Sequence, residues 1–354
     1  MNGYLVLETG EVYKGIFRGG QNRAGEVVFN TSHSGYEEMA TDPSYYNQIL
    51  LTTAPMQGNY GESNNVWESK NIWIQGFICL EMQNSPRDNS WLQKLTSHNV
   101  PILTDLDTRS IVLRLREAGT VWGAIVSATD ERQAKEIANL LINEKKTEDK
   151  DWAFKVSSQE AYELDGPISN GVKVAVLDFG SKKNILHELQ LRCEKVKVFP
   201  LRSNAEEIKS WQPHGIMLSN GPGDPKDVAQ APDTIKALLG WKPIFGICMG
   251  HQILSLVLGA DTYRLKFGHR GSNHPIKDKI LNKIYMTSQN HSYAVDPKTI
   301  PDDVEVTHIN LNDGTIAGIR NKNLKCMSVQ FHPESHPGPH DAVGLFDEFL
   351  RQLQ

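Results

Sequence analysis

From Gly171 onward, short apolar runs alternate with stretches of helical spacing. That alternation restricts the second half of the chain to an open parallel sheet with helices on both faces, a flavodoxin-like α/β arrangement. The expected strands are Val172–Leu177, Val196–Phe199, Gly215–Leu218 and Ile244–Ile247. The expected helices are Lys182–Gln190, Ala205–Ser210 and Val228–Leu239. In such a sheet a ligand sits beyond the carboxyl ends of the strands. The residues that follow each apolar run are therefore the first to inspect.

One run ends in a cysteine: Ile244-Phe245-Gly246-Ile247-Cys248-Met249-Gly250-His251-Gln252, followed by an apolar helix that Gly259 stops. The spacing Gly-x-Cys-x-Gly matches a nucleophile elbow, with sulfur in place of oxygen. Glycines on both sides let the backbone turn sharply and a substrate carbonyl approach. A helix N-terminus favours thiolate over thiol, and the Met249 N–H can point at a developing oxyanion. An ordinary free cysteine is a small buried apolar residue; two glycines at elbow spacing, between a strand and a helix, favour the reactive reading.

Two other strand ends carry candidates. Ser219-Asn220-Gly221-Pro222-Gly223-Asp224-Pro225 is a stiff loop that lacks the Gly-Lys-Ser/Thr ending of a phosphate loop. It reads equally as a tight turn or as backbone facing a ligand. Met327–Phe331 reads as a strand ending in His332-Pro333-Glu334. A histidine there can move the cysteine proton, and a carboxylate can fix its tautomer. With 12 histidines in the chain, spacing alone does not select this one. Ser288–Tyr293 is expected after a strand Ile284–Thr287, and Lys266–Gly271 is expected as a basic loop.

The first half mixes strands, turns and helices. Tyr4–Leu7 and Val12–Phe17 read as a hairpin, and Glu26–Asn30, Gln48–Thr52 and Asn71–Cys79 as further strands. Ser90–His98, a helix opened by Thr104–Arg109 with an acid-rich first turn, and Gln133–Ile142 read as helices. Residues 144–151 hold seven charges in eight positions, a solvated stretch. The organisation expected is a smaller mixed α/β domain over 1–150, a connector over 151–170 and the parallel-sheet domain over 171–354. A net charge of −5 argues against nucleic acid as the main partner. No apolar run nears the roughly 20 residues a membrane helix needs. Four cysteines without a Cys-x-x-Cys pair, and an N-terminus unlike a signal peptide, point to the cytoplasm.

The elbow and the His-Pro-Glu motif, in this order, resemble the class I (triad) glutamine amidotransferases. The resemblance implies Cys248 as nucleophile, His332 as base and Glu334 as orienting acid. The first half is similar, more narrowly, to the family of carbamoyl-phosphate synthase small chains. The motifs that carry this are Val28-Phe29-Asn30-Thr31, Ser34-Gly35-Tyr36, Thr41-Asp42-Pro43-Ser44-Tyr45, Gly58-Asn59-Tyr60-Gly61 and Thr104–Arg109. By that resemblance L-glutamine is held by Ser44, Gly221, Gly223, Met249, Gln252, Asn290, Ser292 and Tyr293. Met249 stands where leucine is usual, a volume-conserving change. Ser292 stands where glycine is usual; a positive φ there costs around 1 kcal/mol, whereas use of its backbone groups alone costs nothing. The resemblance implies no cofactor in this chain. It implies a large synthetase subunit that uses ATP and a divalent metal, in a heterodimer or a higher assembly. A glutaminase serving another synthase, such as an anthranilate or guanylate synthase, lacks the first-half motifs. A non-catalytic regulatory protein on the same fold would be expected to have lost part of the triad.

Overall fold

Two units divide the chain in the computed structural model, which describes residues 1–85 and 90–353. The first comprises Met1–Asp149 and Lys266–Arg270, the second Lys150–Leu265 and Gly271–Gln354.

In the first unit seven strands close into a barrel: β1 (Asn2–Leu7), β2 (Val12–Gly19), β3 (Arg23–Asn30), β4 (Gln48–Thr52), β5 (Gly76–Ile78), β6 (Ile102–Thr104) and β7 (Val121–Ser127), in the order β1-β2-β6-β5-β4-β3-β7. Closure leaves no unpaired edge. Residues one apart point to opposite sides, so Leu5, Leu7, Ile49 and Leu51 fill the interior while Tyr4, Val6 and Leu50 face outward. Among the described residues, four helices surround the barrel: α1 (Tyr36–Thr41), α2 (Trp91–Ser97), α3 (Thr108–Ala118) and α4 (Glu131–Lys146). Ile111 and Leu115 of α3 join the interior cluster; Ala134, Ala138 and Ile142 of α4 cover Tyr4 and Val6. The strand expected over Asn71–Cys79 shrinks to β5; ahead of it the Trp73 N–H donates to Ala40 O at 2.9 Å, at the end of α1, and its Nε1 to Ser69 Oγ at 2.8 Å. The first turn of α3 holds no acid. Asp107 instead caps the helix, accepting from the Ser110 N–H at 2.9 Å. Helix α4 continues to Lys146, beyond the expected end, since its charged residues are good helix formers with an exposed face.

The second unit is a ten-stranded sheet formed by β8 (Tyr162–Asp165), β9 (Lys173–Asp178), β10 (Lys195–Pro200), β11 (Gly215–Leu218), β12 (Ile244–Ile247), β13 (Thr262–Asp278), β14 (Lys283–Val295), β15 (Glu305–Asn310), β16 (Ile316–Asn321) and β17 (Cys326–Val329), in the order β8-β10-β9-β11-β12-β17-β16-β15-β13-β14. The strands from β10 to β17 in this order run parallel; β8 on one side and β16 and β15 on the other pair antiparallel. The sheet is thus mixed at its margins and parallel at its centre.

Among the described residues, six helices belong to this unit: α5 (Trp152–Val156), α6 (Lys183–Gln190), α7 (Ala205–Ser210), α8 (Ala231–Leu238), α9 (Met249–Val257) and α10 (Gly344–Arg351). Val174, Val176 and Phe245 pack with α6 and α10, whereas Ala175, Leu177 and Ile244 pack with α7, α8 and α9. Both faces are therefore covered.

The stretch 151–170, expected as a connector, carries α5 and β8. Tyr162–Asp165 extends the sheet because Glu163 meets Lys195 and Lys197 on the neighbouring strand, at 3.1 and 3.2 Å. Lys266–Gly271, expected as a loop, lies within β13, and residues 266–270 of that strand belong to the first unit. There the Thr120 N–H donates to Lys266 O at 2.9 Å and Phe267 packs on Phe29. Its glycines bend a long strand rather than end one. Ser288–Tyr293 likewise lies inside β14 instead of following a strand that stops at Thr287.

Candidate active site

Strand β12 ends at Ile247 and α9 begins at Met249, so the whole reversal falls on Cys248, with φ 54° and ψ −103°. A side-chain-bearing residue held there is strained, and the surrounding structure must enforce it. Two hydrogen bonds do so: Cys248 N–H donates to Val329 O of β17 at 2.9 Å, and Gly250 N–H donates to Ser219 O at 2.9 Å. The flanking glycines permit this. A Cβ on Gly246 would lie 2.7 Å from Gly250 O, and one on Gly250 would lie 2.3 Å from Leu218 O. With the Gly250 N–H engaged, the Met249 N–H remains as a first-turn donor at the positive end of α9.

The thiol of Cys248 is 2 % exposed and donates to Asn290 O at 3.7 Å. His332 follows β17 and is tied to β14 through its N–H, which donates to Ser288 O at 3.0 Å. Its Nδ1 lies 2.6 Å from Glu334 Oε1. Between His332 Nε2 and the sulfur there is no hydrogen bond of ordinary geometry among the described residues, although the sulfur is near enough to act on the imidazole electrostatically. Such contacts often tighten only around substrate.

Behind the pair sits Lys182, itself buried. Its Nζ is 3.1 Å from the same Glu334 Oε1 and also donates to Ser335 O. Burial alone would push the Glu334 carboxyl up; the Lys182 ammonium and then the His332 imidazole reverse this and hold it at about 2. Burial alone would push His332 down; the Glu334 carboxylate and the Cys248 sulfur outweigh it and raise the imidazole to about 10. An ionised carboxylate with a protonated imidazole is the form this geometry favours.

Around this centre, Gln252 in α9 donates from Nε2 to Tyr293 O at 2.8 Å and to Gln330 Oε1 at 3.1 Å. That bond fixes the elbow helix against the Asn290–Tyr293 part of β14. Gly221 and Gly223 follow β11; Gly223 has φ +93°, and a Cβ on Gly221 would lie 2.3 Å from Phe179 O. Ser292 is not among the residues with positive φ, so serine brings no left-handed strain there. Cys248, His332, Glu334, Gly221, Gly223, Met249, Gln252, Asn290, Ser292 and Tyr293 all lie in the second unit, at or beside the carboxyl ends of its central strands. Ser44 lies in the first unit, where Asp42 caps its short turn through the Ser44 N–H at 2.9 Å.

Sequence reasoning missed Lys182. The available signal was a lysine at the N-cap of α6, just after the turn that ends β9. A cation at a helix N-terminus opposes the dipole, and a broken local rule beside a strand end marks a place where function has overridden propensity. The structure also gives Asn220 a part: its Oδ1 accepts from the Lys182 N–H at 2.9 Å.

Two family models match the chain. Glutamine amidotransferase class-I covers residues 175–352, and carbamoyl-phosphate synthase small chain, CPSase domain, covers residues 5–125. The chain is 44% identical over 356 residues to the carbamoyl phosphate synthase small chain of Clostridium perfringens, covering 99% of each. It is 42% identical to that of Caldanaerobacter subterraneus subsp. tengcongensis, covering 99% of this chain and 96% of the relative. PurLQS from Thermotoga maritima overlaps 52% of this chain and 100% of its own at a TM-score of 0.42 and 17% identity.

Proposed function

This chain belongs to the family of carbamoyl-phosphate synthase small chains, and we propose that it is the glutaminase of such a synthase. In this reading it hydrolyses the side-chain amide of L-glutamine and delivers ammonia to a large synthetase subunit. The observation that carries the reading is the Glu334–His332 pair beside a cysteine strained onto a helix N-terminus.

The Cys248 sulfur reacts as the thiolate, its proton carried by His332; it attacks the amide carbon, and the C=O electrons move onto oxygen. Met249 N–H stabilises that oxyanion. The protonated His332 gives its proton to the amide nitrogen, the C–N bond breaks, and ammonia leaves a glutamyl thioester. Neutral His332 then takes a proton from water as the water attacks the thioester; glutamate leaves and the sulfur is restored. Glu334 holds Nδ1 and compensates the imidazolium charge, and Lys182 keeps Glu334 ionised. Gln252, Asn290, Ser292 and Tyr293 supply the wall that orients the substrate, together with Gly221 and Gly223. No step here needs a cofactor. ATP and its divalent metal belong to the chemistry of the large subunit, which converts bicarbonate and ammonia to carbamoyl phosphate.

Cys248→Ala is expected to abolish glutamate release from glutamine. Mixed with a large subunit, the variant should still support carbamoyl phosphate formation from added ammonium. Retained glutamine hydrolysis would refute the assignment of the nucleophile; loss of the ammonium-dependent reaction as well would refute a purely catalytic role for Cys248.

A further inference from the structure

A cavity of about 350 Å³ opens in the second unit where β12 and β17 begin, at the opposite end of these strands from Cys248. Pro243, just ahead of β12, and Lys325, just ahead of β17, line it together with Glu348 of α10. Its volume falls at the small end of the range for ligand pockets.

The buried end is polar and incompletely matched. His308 is 4 % exposed; its Nδ1 lies 2.8 Å from Thr307 Oγ, and its Nε2 has no hydrogen-bond partner among the described residues. The fold makes room for this imidazole. Strand β15 is irregular on both sides of His308, and the facing residue is Gly318, where a Cβ would lie 2.6 Å from Nδ1. Asp278 brings Oδ2 to 3.7 Å from Nε2, too far to satisfy it. The other oxygen, Oδ1, is occupied by the N–H groups of Ile280 and Leu281 at 2.7 and 2.9 Å. Oδ2 takes one long bond from Tyr285 at 3.3 Å. The Glu348 carboxyl is pushed up, first by burial and then by the charge of Asp278.

The mouth has the opposite sign. Arg320 is engaged by Glu305 through two bonds, at 2.7 and 3.2 Å. Lys322 reaches the same carboxylate only at 3.8 Å, and Lys325 forms no ion pair among the described residues.

We propose that this cavity binds a small zwitterion, its ammonium group among His308, Asp278 and Glu348 and its anionic group at Lys322 and Lys325. An ammonium presents three donors and no acceptor, which suits an unpartnered imidazole nitrogen and two carboxylates. Its charge offsets the repulsion between those carboxylates. A bare metal ion is a poor fit, because no group of three His, Cys, Asp or Glu among the described residues is close enough to hold one. Donor–acceptor distances of about 2.8–3.0 Å suit a wider cage than metal–oxygen distances of about 2.0–2.6 Å.

The test is calorimetric titration of the whole chain with straight-chain ω-amino acids of increasing length, against the alkylamine and alkanoate of each length. At least one zwitterion should bind saturably, about tenfold tighter than either matched control, and binding should persist in saturating L-glutamine. Glu348→Gln and the exposed Lys325→Gln should each weaken it about tenfold while leaving the thermal midpoint in place. Absence of saturable binding at every length, a control that binds as tightly, competition by glutamine, or indifference to both substitutions overturns the proposal.

Discussion

Gly250→Ala isolates the demand that the elbow makes on its neighbours. The added Cβ would lie 2.3 Å from Leu218 O and 2.7 Å from Leu218 C, where real contacts do not fall below 3.0 Å, so something must move by about 0.7 Å. The struck atoms are backbone of β11, which is paired on one side with β9 and on the other with β12. They cannot give, so the first turn of α9 must. That retreat lengthens the 2.9 Å bond from Gly250 N–H to Ser219 O and carries Met249 N–H with it. Forcing a group into a packed site costs about 1–3 kcal/mol, and a misplacement near 1 Å costs on the order of 10²-fold in rate. Steady-state glutamine hydrolysis should show kcat reduced by roughly that factor, with KM less affected, and a urea midpoint lowered accordingly. Gly344→Ala is the control: no atom lies within 4 Å of its Cβ, and it opens α10. It should leave rate unchanged and stability level or slightly higher. A Gly250→Ala protein with full kcat and an unchanged midpoint would refute the close-approach argument.

Lys182→Met leaves Glu334 buried without its cation. Stability should fall by about 3–5 kcal/mol in denaturant titration, and kcat by more than KM; an undiminished midpoint would contradict the buried ion pair. In the intact protein the Glu334 carboxyl sits at about 2, below its ordinary 4.5. Its contribution to stability is therefore complete above pH 4.5 and is lost as pH falls from there towards 2; a flat stability curve through this window would count against the depressed carboxyl. His332 is raised to about 10 from 6.5. Its contribution is complete below pH 6.5 and is lost as pH rises towards 10; His332→Asn should remove that alkaline loss, and its persistence in the variant would assign it to another group. Ser292→Gly should change KM for glutamine less than about twofold and bring no relief of strain, because position 292 does not use positive φ; a marked stabilisation would show otherwise.

The central strands were legible because buried parallel strands are continuously apolar. Ile244–Ile247 was bounded to the residue, and the cysteine at its end followed from the two glycines. The proline and the strand make His332 and Glu334 candidates, and only the resemblance selects them among 12 histidines, since nothing local says that β17 lies beside β12. Lys182 was not legible: its partner lies far downstream, and its signal was only a misplaced charge. The long strands β13 and β14 are not legible as such, because glycines at 268 and 271 and the polar run 288–292 look like turns. Their backbones are held by tertiary pairing that overrides local preference. Strand β8 was hidden for a related reason. Its side chains are mostly exposed, and it is held by charges on a neighbour rather than by apolar alternation.

The bond from Cys248 N–H to Val329 O joins the fifth strand of this sheet in chain order to the last. Until that last strand arrives, the reversal at Cys248 lacks one of the two bonds that hold its unfavourable backbone conformation, and the imidazole that follows the strand is absent too. Long-range pairing of this kind is slow to form. A chain still emerging from synthesis, or one only partly folded, therefore carries a cysteine that is half-anchored and without its base, and reactivity arrives with completion of the sheet.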